Sequence, residues 1–162
     1  MPYLKAVKSE KPCTKKSGGL LLLCRIDMYE KKMIEAQIKF LKDSASEDWR
    51  TEQSLFELRH YDMCLFCCHL AIEKYLKALI LLRTNRPAPF THSLKRLTEI
   101  AGLTFSLEEQ NDLGEITTFN ISGRYRDIKY QFYKKATKTF CKKYFEISNY
   151  LIVCLKKEFQ KI

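Results

Sequence analysis

Between Asp62 and Arg83 the chain places Met63, Leu65, Phe66, Leu70, Ile72, Leu76, Leu79 and Leu82 on nearly every side of a helical wheel. A helix that is apolar all round has no water-facing side and must be enclosed by other elements. This segment therefore predicts a central buried helix, and the rest of the chain has to wrap it. Within it, Glu73 and Lys77 stand four residues apart, acid before base, on one face. Such a pair stabilises a helix by only about 0.3 kcal/mol, so alone it identifies nothing.

The surrounding segments supply the wrapping. Ile34, Ile38, Leu41, Ala45, Trp49 and Leu55 keep helical spacing for some thirty residues from Met28. The polar stretch Asp43-Ser44-Ala45-Ser46 offers a break, with a capping box at Ser44 and Glu47. Pro87 and Pro89 end the central helix, and Thr91 or His92 is placed to cap the next, over Ser93–Ala101. Gly102 stops that short helix. Ser106 and Glu109 form a capping box for a fourth, running to Phe119. Gly123 and the segment Arg124–Tyr133 are expected to form an ordered loop. A last helix is expected over Ala136–Phe159, with Phe140, Tyr144, Ile147, Leu151 and Cys154 or Leu155 inward. The expected fold is all-α: an antiparallel up-and-down bundle of four to five helices with one short crosspiece.

Residues 1–27 read as an N-terminal extension, flexible or not native, and residues 28–162 as the helical domain. Lys5, Lys8, Lys11, Lys15 and Lys16 alternate there with Pro, Ser and Gly, which give no continuous apolar face. The run Leu20–Leu23 is shorter than a signal-peptide core. No apolar run approaches the roughly 18 residues needed to cross a bilayer, so no membrane role is expected.

Seven cysteines make an odd count, without the density of a disulfide scaffold, which favours a reduced, cytoplasmic setting. Cys64, Cys67 and Cys68 follow helical spacing and are expected to face the core as small apolar groups. Cys64-x-x-Cys67 has no second Cys or His pair at ligand spacing, so neither metal nor other cofactor is expected.

At this point the chain resembles the HEPN family of small helical-bundle domains. The family pattern of an A-x-E-K-x-L-K-A helix, a Pro-containing turn, T-H-x-L-x-x-L and a later R-Y-P-D element has counterparts here. They are Ala71–Ala78, Thr91–Leu97 and Arg124-Tyr125-Arg126-Asp127, with Arg126 in place of the proline. The resemblance covers about residues 28–160 and implies a homodimer and a single long first helix rather than one broken at Asp43–Ser46. Many members are metal-independent ribonucleases whose Arg is followed, after four to six residues, by a His. The imidazole moves the ribose 2′-hydroxyl proton, and the guanidinium stabilises charge on phosphate. Here Arg124 fills the Arg position, but Lys129, Tyr130 and Gln131 occupy the permitted His positions, and no His follows His92. A phenol, with an ordinary pKa near 10, is a poor base at neutral pH. Arg86 and His92 have the right spacing but lie outside the matching element. His92 is expected to cap or pack beneath Leu94, and His60 and His69 to pack or meet solvent.

Residues 124–162 hold eleven Lys/Arg against three acids, whereas residues 28–123 hold twelve against fourteen. Such a basic segment suits either a solvated helix face or a polyanion-binding surface. The expected nucleotide- or RNA-binding residues are Glu73, Lys77, Arg124, Tyr125, Arg126, Asp127, Lys129, Lys134 and Lys135. Arg contacts phosphate in a bidentate manner, and interleaved aromatic rings stack bases. The alternative role for Arg124 is a lock onto Asp127 or Glu73. The resemblance therefore implies a non-catalytic nucleotide- or RNA-binding protein, working beside a small nucleotidyltransferase in a toxin–antitoxin-like module. Two alternatives stay open: an active ribonuclease centred on Arg124 with Tyr130, and a homodimeric interaction module without ligand.

Overall fold

The computed structural model describes the backbone of residues 19–122 and 126–161 and the side chains of residues 30–120 and 130–161. The described residues form six helices and no strand: α1 Gly19–Glu57, α2 Tyr61–Thr84, α3 Leu94–Ile100, α4 Leu107–Ser122, α5 Arg126–Lys135 and α6 Lys138–Glu158. Gly19–Met33 falls in one unit, and the residues from Ile34 onward form a second that holds the bundle. The first helix begins at Gly19, upstream of the expected start at Met28. Removing residues 1–27 is nevertheless expected to leave the thermal midpoint within a few degrees, because surface changes are usually worth under about 0.5 kcal/mol. A scanning-calorimetry comparison in which the shortened chain melts far earlier would show that Leu20–Leu23 supports the bundle.

Helix α2 is the central element, with Leu65, Ala71, Ile72, Leu76, Ala78 and Leu79 fully buried. From Ile34 onward, helix α1 runs antiparallel to it, as contacts from Ser46 to Tyr75 and from Glu52 to Cys68 establish. The Asp43–Ser46 stretch does not break α1. Ala45 is buried, the Ser44 hydroxyl accepts from Lys74 Nζ at 2.7 Å, and Ser46 Oγ meets Tyr75 Oη at 2.8 Å. Helix α6 runs alongside α2 in the same direction: Cys141 lies at Tyr61, and Glu158 pairs with Arg83 at 2.5 Å. Helix α4 runs the other way, with Phe119 against Phe140 and Tyr144. The long helices thus alternate direction in chain order, as expected, and α3 is the crosspiece.

The caps explain most boundaries. The Ser106 amide donates to Glu109 Oε2 at 2.7 Å while the Glu109 amide donates to Ser106 Oγ, the reciprocal capping box. Gly102, with φ +66°, adopts the left-handed conformation that ends α3. The cap of α3 corrects an expectation. Neither Thr91 nor His92 serves; the Ser93 hydroxyl accepts from the Arg96 amide. A second correction concerns Arg124–Tyr133: from Arg126 onward it is helix, not loop. Phe132 anchors it, buried with its ring 5.6 Å from that of Phe119. Thr137 then caps α6, which begins at Lys138 rather than Ala136. Along α6, Tyr144, Leu151 and Leu155 are buried as expected; Phe140, Ile147 and Cys154 sit half-buried at its edges.

Candidate nucleotide and RNA site

His69, Glu73 and Lys77 follow one another at four-residue steps, so α2 stacks them on one face. His69 is fully buried and the Glu73 side chain is 8% exposed. Glu73 Oε2 lies 2.8 Å from His69 Nε2, and Oε1 lies 2.6 Å from Lys77 Nζ. The turn before α3 brings in His92, whose Nδ1 is 3.0 Å from Oε2 and 3.2 Å from Oε1. A carboxylate only accepts, so both imidazoles donate through these nitrogens. Burial alone would raise the Glu73 pKa, but the donors on His69, Lys77 and His92 outweigh it and hold the carboxyl at about 2. Glu73 therefore ties the α2–α3 turn to the central helix. That turn is fixed further by the Leu94 amide, which donates to Thr117 Oγ1 on α4 at 3.1 Å.

The side chains of His69, Glu73 and His92 have ligand atoms within 4.8 Å of one another. A cation held there would displace the imidazole N–H groups from the carboxylate and stand beside the Lys77 ammonium. It would also leave a proton on His69 Nδ1, which is buried with no hydrogen-bond partner among the described residues. The chemistry of this set fits a closed hydrogen-bond lock rather than a metal centre.

Helix α5 presents the other part of the expected site. Tyr130 is 64% exposed and Tyr133 65% exposed, and Lys134 Nζ sits 4.5 Å from the centre of the Tyr130 ring. Lys135, itself exposed, pairs with Glu115 Oε1 at 2.5 Å and lies over the Phe140 ring. Arg126, Asp127 and Lys129 are on α5, but their side chains, like Arg124 and Tyr125 altogether, lie outside the described residues. Whether Glu73 orients Arg124 lies outside them as well; Glu73 already receives His69, Lys77 and His92. Sequence reasoning does not anticipate the participation of His69 and His92. The spacing His69-x-x-x-Glu73-x-x-x-Lys77 is the available signal for the first, whereas the second depends on a tertiary contact.

An all-helical bundle with alternating long helices, a short crosspiece and a cationic fifth helix defines the class of protein. The HEPN domain model matches residues 38–158, and the chain belongs to the HEPN domain family. Its fold is similar to that in the crystal structure of TT1696 from Thermus thermophilus. The TM-score is 0.63 at 18% sequence identity, covering 75% of this chain and 98% of that one. No curated protein matches the sequence. No helix among the described residues is long and apolar enough to cross a membrane.

Proposed function

We propose that this chain is a nucleotide- or RNA-binding HEPN domain whose ligand lies along α5 and the Arg124–Asp127 element. The reading rests on one observation above the others: Tyr130 and Tyr133 are exposed on a basic helix, with a lysine ammonium over one ring. Exposed rings stack bases, and the cations beside them meet phosphates. The family membership supports it. The reading is of a non-catalytic domain, since no imidazole follows Arg124 to take the ribose 2′-hydroxyl proton in the family's ribonuclease chemistry. A homodimer working with a small nucleotidyltransferase is the expected assembly.

The test is fluorescence anisotropy with a labelled single-stranded RNA. Arg124→Ala and Tyr130→Ala are each expected to weaken binding by about 1–3 kcal/mol, the scale of a charge-assisted hydrogen bond or one stacked base. Helical content should be unchanged. Normal binding by both variants would refute the site. An Arg124→Ala protein that binds normally but melts much earlier would make Arg124 a structural lock. RNA cleavage abolished by Arg124→Ala would favour the ribonuclease alternative.

A further inference from the structure

The C-terminal end of α6 borders a cavity of about 350 Å3, lined by Lys42 and Ser46 of α1, Tyr75 of α2, Lys156 of α6, and Phe159 and Gln160 just beyond it. Small-molecule sites commonly enclose about 300–1,000 Å3, so the volume suffices for a ligand. The Tyr75 and Phe159 rings are neighbours, with centroids 6.3 Å apart. Each carries a lysine: Lys42 Nζ lies 4.7 Å from the centre of the Phe159 ring, and Lys156 Nζ lies 5.6 Å from that of Tyr75. Among the described residues, no carboxylate pairs with either ammonium. Asp43, the acid in the lining, is taken by Lys39 at 2.6 Å. The last turn of a helix favours a cation, which accounts for Lys156 by itself. Lys42, half-buried in the middle of α1, has no such reason. Beside them, Ser46 Oγ and Tyr75 Oη lie 2.8 Å apart, and Tyr75 is only 2% exposed. One hydroxyl donates to the other, and the accepting one keeps its proton for a further acceptor.

We propose that this cavity binds a small phosphate monoester, its phosphoryl oxygens held by the Lys42 and Lys156 ammoniums and by the free hydroxyl proton of the Ser46–Tyr75 pair. Two unpaired ammoniums match the charge of about −1.5 to −2 that such a group carries at pH 7. The phosphoryl oxygens only accept, and every group assigned to them donates. The rings hold the two cations in place from behind, since an ammonium is attracted to an aromatic face. The volume beyond the phosphoryl group takes the organic part of the ester, within reach of the Gln160 side chain. This cavity is remote from α5. Lys135 of α5 lies over Phe140, and a rise of 1.5 Å per residue puts Lys156 about 24 Å further along α6. Uptake here is therefore independent of RNA at α5.

Calorimetric titration of the full chain with ribose 5-phosphate and AMP, beside ribose and orthophosphate, provides the test. Saturable one-to-one binding of both esters is expected, with none of ribose and weaker binding of orthophosphate. Lys42→Ala and Lys156→Ala should each weaken ester binding about tenfold, the scale of one charge-assisted hydrogen bond. Lys156 is exposed, so its variant tests the site without disturbing the core. Tyr130→Ala should leave ester binding unchanged. Affinity should rise between about pH 5 and pH 7, as the phosphate loses its second proton near pH 6. No saturable binding of either ester, equal binding of ribose or orthophosphate, or unchanged affinity in both lysine variants would overturn the proposal. Ester binding lost in Tyr130→Ala would place the ligand on α5 instead.

Discussion

Glu73→Ala is expected to destabilise the bundle by about 3–5 kcal/mol, the usual cost of removing one partner from a buried charged network. The substitution leaves the fully buried His69 without its acceptor and detaches both Lys77 and His92. The pH dependence has a definite sign. The Glu73 pKa falls from its ordinary value of 4.5 to about 2, so its contribution is present above pH 4.5 and disappears as pH falls through 2. Urea titrations across that range should show acid sensitivity in the wild type and less of it in the variant. A Glu73→Ala midpoint within about 0.5 kcal/mol of wild type would mean that the network contributes nothing.

The second large effect has the opposite sign. Glu52→Gln is expected to raise stability at pH 7 by on the order of 3 kcal/mol. Burial pushes the Glu52 carboxyl up to about 9, so the folded chain holds a proton that the unfolded chain releases near pH 4.5. Stability relative to acid therefore falls as pH rises from 4.5 to 9 and then levels. Gln keeps the shape and removes the titration, so the variant's profile should be flat there. Parallel pH profiles for the two proteins would place Glu52 in a solvated setting.

These two glutamates differ in how far the sequence makes them legible, and the same division runs through the fold. The apolar faces of α2, the Ser106–Glu109 box and Gly102 are local signals, and they locate the bundle, its crosspiece and several ends. Helix α5 escapes local spacing: its exposed Tyr130 and Tyr133 and its lysines resemble a loop, and the anchor at Phe132 depends on Phe119 from another helix. In α1, Asp43–Ser46 resembles a break by local spacing alone; the resemblance implies one continuous helix, and Tyr75 and Lys74 take its hydroxyls. Glu73 stands out in the sequence, but its partner His92 arrives from nineteen residues away, across a proline-containing turn. Glu52 gives no signal at all, since a lone Glu on a long helix ordinarily faces water.

The basic, tyrosine-bearing end of this HEPN domain is proposed to take up RNA or nucleotide. Anisotropy of a labelled single-stranded RNA, titrated with the full chain over a series of salt concentrations, tests that uptake most directly. Phosphate contacts release counterions, so the logarithm of the binding constant should fall linearly with the logarithm of salt concentration, and the RNA should remain intact. No saturable binding at low salt, or an affinity indifferent to salt, would contradict it.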